Sequence, residues 1–301
     1  MSGSIESLTR KISGAADLEA VVRSMKALAA SSIGQYEKSV HSLDEYAATV
    51  DLALSACLQR TGKGYDRAQA GMKHEPGIGA IVFGSDQGLV GRFNGVIVEY
   101  AVTTLTSLPG SIIRIWPVGE RIHALFADTK LTTAEMLPVP SSINAIASLV
   151  GRIIIDVEST RERGGVEEVY LFHNHPKSGS VYESISKRLL PLDLVWEKQM
   201  KAKPWPTKMI PEVIEGRTSP LRAFIREYLF VQLFQACAES LASENAIRLA
   251  AMQRAEKNID SILEDLNRKL HSIRQESIDE ELFDVISGYE ALTAVRKSEG
   301  E

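Results

Sequence analysis

Residues 241–273 read LASENAIRLAAMQRAEKNIDSILEDLNRKLHSI. From Leu241, the residues Asn245, Arg248, Met252, Ala255, Ile259, Ile262, Leu266, Leu270 and Ile273 recur at steps of four and three, the period of a coiled-coil seam. No glycine interrupts the chain between Gly216 and Gly288, and no proline follows Pro220. Thr218-Ser219-Pro220 places hydroxyls ahead of a proline in the first helical turn, a pattern that starts helices. Since proline inside a helix costs ~3 kcal/mol, its absence permits one unbroken helix. Roughly 65 residues at about 1.5 Å per residue would extend about 100 Å, more than a compact domain needs. Such a helix needs a partner to bury its stripe.

The partner is the other end of the chain. All 11 prolines fall between Pro76 and Pro220, so residues 1–60 are free of them as well. There Leu8, Ile12, Ala15, Leu18, Val22, Met25 and Leu28 recur at steps of three and four, continued by Ser32, Tyr36, Val40, Leu43, Ala47, Val50 and Leu54. Thr61-Gly-Lys-Gly64 reads as the stop and a connector. Two arms, 1–60 and 217–292, are therefore expected to pair antiparallel around an insert at 76–211.

The insert differs in kind. Gly79–Phe83, Ile112–Val118 and Glu168–Phe172 are short apolar runs between turn residues, with helical patterns at Arg92–Leu108, Glu120–Phe126 and Ser142–Arg163. Strands alternating with helices predict βαβ units and a mostly parallel sheet covered on both faces. The expected fold class is α/β: a long antiparallel coiled coil of the terminal helices with an inserted Rossmann-like domain.

Composition narrows the function. With 301 residues, 44% hydrophobic and 24% charged, the chain can build a real core. No apolar run approaches the ~18 residues of a membrane span, and the N-terminus has no signal-peptide pattern. A net charge of −5 disfavours nucleic acid as a partner. Cys57 and Cys237 lack ligand spacing and read as packed, reduced thiols.

No catalytic or cofactor motif stands out. Gly84, Gly88 and Gly91 lie between a strand and a helix but fit neither GxGxxG nor GxxxxGK[ST], which favours a structural turn over a nucleotide cradle. His173 and His175, two apart on a strand, share a face but bring only two of the ligands a metal needs, so a satisfied strand-end pair is expected. The acidic group Glu276, Asp279, Glu280, Glu281 and Asp284 lacks calcium-loop spacing and reads as a solvated helical face.

Several stretches carry a family likeness. Ser243–Met252 (SENAIRLAAM), Ile273–Leu282 (IRQESIDEEL) and Ile286-Ser-Gly288 resemble the C-terminal signature of the gamma subunit of F-type ATP synthases. Ser85–Gly91 (SDQGLVG) resembles that family's SxDxGLCG stretch, and Arg23–Ser31 (RSMKALAAS) its N-terminal KAMxMVAxS segment. The resemblance implies a non-catalytic rotor with no cofactor. Its terminal helices would stand inside a ring of alternating alpha and beta subunits, and its α/β domain would bind epsilon and the membrane c-ring. Rotation would couple transmembrane ion flow to ATP synthesis or hydrolysis on the beta subunits. It further implies a peripheral position on the cytoplasmic face of a bacterial membrane, touched only through the c-ring. Arg274, Gln275 and Met25 fall where the family contacts a beta-subunit loop, and Met209 and Glu212 where it faces c-ring and epsilon.

The chain departs from the pattern at Val90, where the family has cysteine, and at Gly91-Arg-Phe-Asn94, where it has GGLN. Ser32 and Ile33 replace basic residues, and Gly288-Tyr-Glu-Ala291 replaces a small-residue run before a polar tail. These departures resemble a divergent branch, the alternative sodium-linked F-type ATPases of some bacteria being one candidate. The competing reading is a freestanding α/β enzyme or ligand-binding domain whose arms only dimerise. It requires a convergent polar site in the insert.

Overall fold

The computed structural model describes residues 2–60, 77–129, 131–177, 180–209, 212–213 and 220–298. The connector expected at Thr61–Gly64, the capping hydroxyls of Thr218 and Ser219, and the end of the polar tail lie outside them. In order, the elements are α1 (Ser2–Arg60), β1 (Gly77–Phe83), α2 (Phe93–Ser107), β2 (Ser111–Val118), α3 (Glu120–Ala127), α4 (Ile143–Glu162), β3 (Glu168–Lys177), β4 (Ser180–Leu190), α5 (Leu194–Lys201) and α6 (Pro220–Ser298). The proline-free ends thus form helices of 59 and 79 residues. The chain divides into two compact units, residues 1–28 with 250–301, and residues 29–249.

In the larger unit the strands run in the order β2-β1-β3-β4. β1 lies parallel to both β2 and β3, while β4 pairs antiparallel with β3. β1 is buried along its whole length because alternate residues feed different cores. Ile78, Ala80 and Val82 face α2 and α3, packing with Ile97, Ala101, Ile122 and Phe126. Ile81 and Phe83 face the other way into a larger cluster with Trp116, Ile153, Leu54 and Leu241.

That second cluster includes both terminal helices. Tyr36, Val50, Leu54 and Leu58 of α1 share it with Ile225, Leu229, Leu233 and Cys237 of α6. The Tyr46 hydroxyl donates to Glu227, whereas the earlier Tyr36 lies in the field of Cys237, Glu244 and Arg248, so these stretches run antiparallel. Cys57 and Cys237 are both buried, and burial pushes each thiol's pKa up.

In the smaller unit, Lys26 of α1 donates to both carboxylate oxygens of Glu256 of α6 at 2.9 and 2.6 Å. Inward positions on α6 follow Met252, Ala255, Ile259, Leu263, Leu266, Leu270 and Ile273. The expected seam therefore needs one correction, since Ile262 is 51% exposed and its neighbour Leu263 faces in. On α1, Leu18 and Leu28 are exposed at 60% and 69%, while Glu19 and Ala29 turn inward. In each case the inward residue lies one place later than a count of apolar residues suggests, because the four-residue step comes before the three-residue one.

Candidate functional site

The glycine-containing stretch between β1 and α2 folds as an interlocked turn. Asn94, in the first turn of α2, accepts from the Ser85 amide at 3.0 Å and donates to the Ser85 hydroxyl at 2.8 Å. That hydroxyl donates onward to the Gln87 carbonyl at 3.0 Å. Asp86 accepts from the amides of Glu120 and Val139, at 2.8 and 3.0 Å, and so ties the turn to the start of α3 and the segment beyond it. Gly84 is required by space, because a Cβ there would lie 2.3 Å from Ile122. The polar groups that would cradle a phosphate thus hold the chain to itself, and a carboxylate sits among them.

His173 and His175 on β3 share a partner on α6. Their facing nitrogens, Nε2 and Nδ1, lie 2.8 and 2.9 Å from the same oxygen of Glu239. The other oxygen accepts from Gln235 at 2.8 Å. Burial opposes ionisation of Glu239, yet the hydrogen bonds from both imidazoles and Gln235 outweigh it and hold its pKa at about 2. Each histidine has a hydrogen-bond partner through one ring nitrogen, and that partner lies 66 and 64 residues away in sequence. No local spacing marks Glu239. Nearby, the Ser243 hydroxyl donates to the Asn174 carbonyl at 3.0 Å, fastening the backbone between the histidines to α6.

The stretch that follows is buried and polar. Arg248 donates to Glu244 at 2.5 Å and to Asn245 at 3.3 Å, and Asn245 donates to the Leu241 carbonyl at 2.8 Å. Burial raises the pKa of Glu244, with the Arg248 guanidinium working against that rise. Residues of the family-like signature thus form an internal network on α6.

The remaining sequence-predicted residues are spread over the two units. Arg274 and Gln275 are exposed, directly after the half-buried Ile273, and Met25 is half-buried in the same unit. Met209 and Glu212 are exposed in the larger unit. Unanticipated is the apolar surface beyond Arg274: Ile278, Leu282, Phe283, Val285, Ile286 and Tyr289 are all exposed, Phe283 at 71%. Each was legible as an apolar residue, but nothing in the spacing told which would stay exposed. Among the described residues no helix is long and apolar enough to cross a membrane.

Known proteins share this organisation over almost the whole chain. The family model described as ATP synthase matches residues 4–292. The ATP synthase gamma chain of Arthrobacter sp. (strain FB24) is 26% identical over 98% of this chain and 100% of its own. That of Syntrophus aciditrophicus (strain SB) is 25% identical over 96% and 98%. Among solved structures, the rotor of Euglena gracilis mitochondrial ATP synthase aligns with a TM-score of 0.61 at 14% identity, covering 92% of this chain and 100% of that one. The central stalk of the Tetrahymena thermophila enzyme aligns at 0.54 with 19% identity, covering 78% and 99%. A family match spanning both helical ends and the insert, with the signature stretches inside it, means that the chain belongs to the ATP synthase gamma-chain family, the non-catalytic rotor subunit of the F-type enzyme.

Proposed function

We propose that this chain turns within a ring of alternating alpha and beta subunits, with Arg274, Gln275 and Met25 against a beta-subunit loop. The observation that carries this reading is the apolar surface from Ile278 to Tyr289, exposed on α6 next to Arg274 and Gln275. Contiguous apolar surface of this kind marks a site of association, and a surrounding ring is the partner that the family provides. In the same reading, arms 1–60 and 217–292 form the shaft, and 76–211 is the base that meets epsilon and the c-ring. Contact with the cytoplasmic face of a bacterial membrane is then indirect.

Torque passes only through contacts that differ between rotary positions, because a shaft that touched all three beta subunits equally would bias none. A guanidinium on a beta-subunit carboxylate is directional and charge-assisted, and Gln275 adds an amide beside it. Changing Arg274 and Gln275 together to alanine is expected to leave folding and assembly intact, since both are exposed and off the seam. Loss of such a contact costs about 2–5 kcal/mol, so multisite ATPase activity should fall at least about tenfold, with ion-driven synthesis weakened in parallel. Unchanged activity and coupling in a fully assembled double mutant would remove this pair from the transmission path.

The base is tested separately. Met209→Cys and Glu212→Cys, introduced one at a time, should crosslink to the c or epsilon subunit in the intact complex. The native thiols give little background, as Cys57 and Cys237 are buried with raised pKa values. Products containing only alpha or beta would overturn this assignment.

A further inference from the structure

We propose that His173, His175 and Glu239 form a binding site for a divalent transition metal, Zn²⁺ above all, that braces β3 against α6. The three residues offer two imidazole nitrogens and one carboxylate oxygen, all within 4.8 Å of one another. Two histidines and a carboxylate are a donor set suited to zinc, which takes imidazole nitrogen at ~2.0–2.1 Å and carboxylate oxygen at ~2.0–2.2 Å. Tetrahedral ligands at those lengths stand roughly 3.4 Å apart. The present nitrogen-to-oxygen separations of 2.8 and 2.9 Å would open by roughly half an ångström, within the reach of small side-chain rotations.

The surroundings hold these ligands in place. Gln235 fixes the second oxygen of Glu239, and Ser243 ties the Asn174 backbone between the two histidines to α6. His173 and Glu239 are buried, whereas the His175 side chain is 42% exposed, which provides an entry path and a place for water as the fourth ligand. Lys187 lies close enough to sense the Glu239 charge, but its ammonium donates to Gln232.

One feature limits the affinity. Ligation through His173 Nε2 moves that ring's proton to Nδ1, a buried atom with no hydrogen-bond partner among the described residues. Lack of such an outer partner weakens metal binding by about 10–100-fold, so a dissociation constant on the order of micromolar is expected, rather than the tighter binding of a fully supported site.

The test uses the full-length chain, stripped with a chelator and titrated with Co²⁺, then with Zn²⁺ in competition. The expected result is a visible Co²⁺ absorption that saturates at one ion per chain, is displaced by Zn²⁺, and accompanies a rise in the thermal midpoint. His175→Ala, at the exposed ligand, should weaken binding at least about tenfold and abolish the thermal shift, while His41→Ala should change neither. Glu239→Gln, which keeps a hydrogen-bonding carbonyl but removes the charge, should behave like His175→Ala. Absence of the absorption from a folded chain, or equal binding by the His175→Ala and wild-type chains, would show that the three residues form only a hydrogen-bonded brace.

Discussion

Replacing Glu244 with alanine is expected to destabilise the larger unit by about 3–5 kcal/mol, although alanine is the better helix former. The loss comes from what remains. The Arg248 guanidinium is buried, and Glu244 at 2.5 Å is its carboxylate partner, with the Asn245 oxygen at 3.3 Å the only other acceptor among the described residues. Removing one member of a buried pair strands the other charge, whereas replacing both with apolar residues of similar volume is often neutral or stabilising. Glu244→Leu combined with Arg248→Met should therefore recover most of the lost stability. Urea unfolding followed by tryptophan fluorescence reports on the right region, because Trp116, Trp196 and Trp205 all belong to the larger unit. A loss below about 1 kcal/mol in the single variant would mean that the guanidinium finds another partner.

The second large effect is expected at Gly119, which joins β2 to α3. Its φ of +123° lies where side chains are rarely tolerated, and a Cβ there would stand 2.9 Å from both the amide nitrogen and the carbonyl oxygen of Ser85. Backbone atoms cannot swing aside as a flexible side chain can. The obstruction also falls on the Ser85–Asn94 lock and beside the Asp86 clip, so relief in one place loosens the others. Backbone strain of about 1–3 kcal/mol and overpacking of about 1–3 kcal/mol add to a loss of roughly 2–6 kcal/mol for Gly119→Ala. The same unfolding measurement checks it. By contrast, Gly91 has a φ of +56° with open space around it, so Gly91→Asn should be tolerated much better. Gly119→Ala proving the milder of the two would mean that the Ser85 backbone gives way without cost.

The helical ends and the βα insert were legible because the prolines are confined to positions 76–220 and because apolar spacing changes there. The three strands and three helices read from the insert appear within a residue or two of their expected ends, apart from β3, which runs on past Phe172 to Lys177. What escaped was set by distant contacts. β4, whose Ser-Val-Tyr-Glu-Ser-Ile-Ser-Lys-Arg-Leu-Leu carries many polar residues, is an edge strand, and edge strands are kept polar to prevent unwanted pairing. Which of Ile262 and Leu263, or of Leu28 and Ala29, turns inward depends on where a three- or four-residue step falls, and the facing helix decides that. Glu239 is one carboxylate among many on helical faces until β3 brings two imidazoles to it. The family likeness was carried by residues with internal duties, such as Ser243, Glu244 and Arg248, as much as by Arg274 and Gln275.

The shared core of α1, α6 and the sheet has a consequence for biosynthesis. Leu54 and Leu58 complete their packing only against Ile225 to Ala242, and one face of the sheet waits for the same helix. Ribosomes add about 5–20 residues per second, so roughly ten to thirty-five seconds separate emergence of Leu54 from that of Ile225. Throughout that interval the nascent chain carries a bare apolar stripe and a half-covered sheet, which local contacts alone do not close. Folding of the larger unit is thus deferred until the Ile225–Ala242 stretch of α6 has left the exit tunnel, and until then the exposed apolar stripe is the kind of surface that chaperones shield.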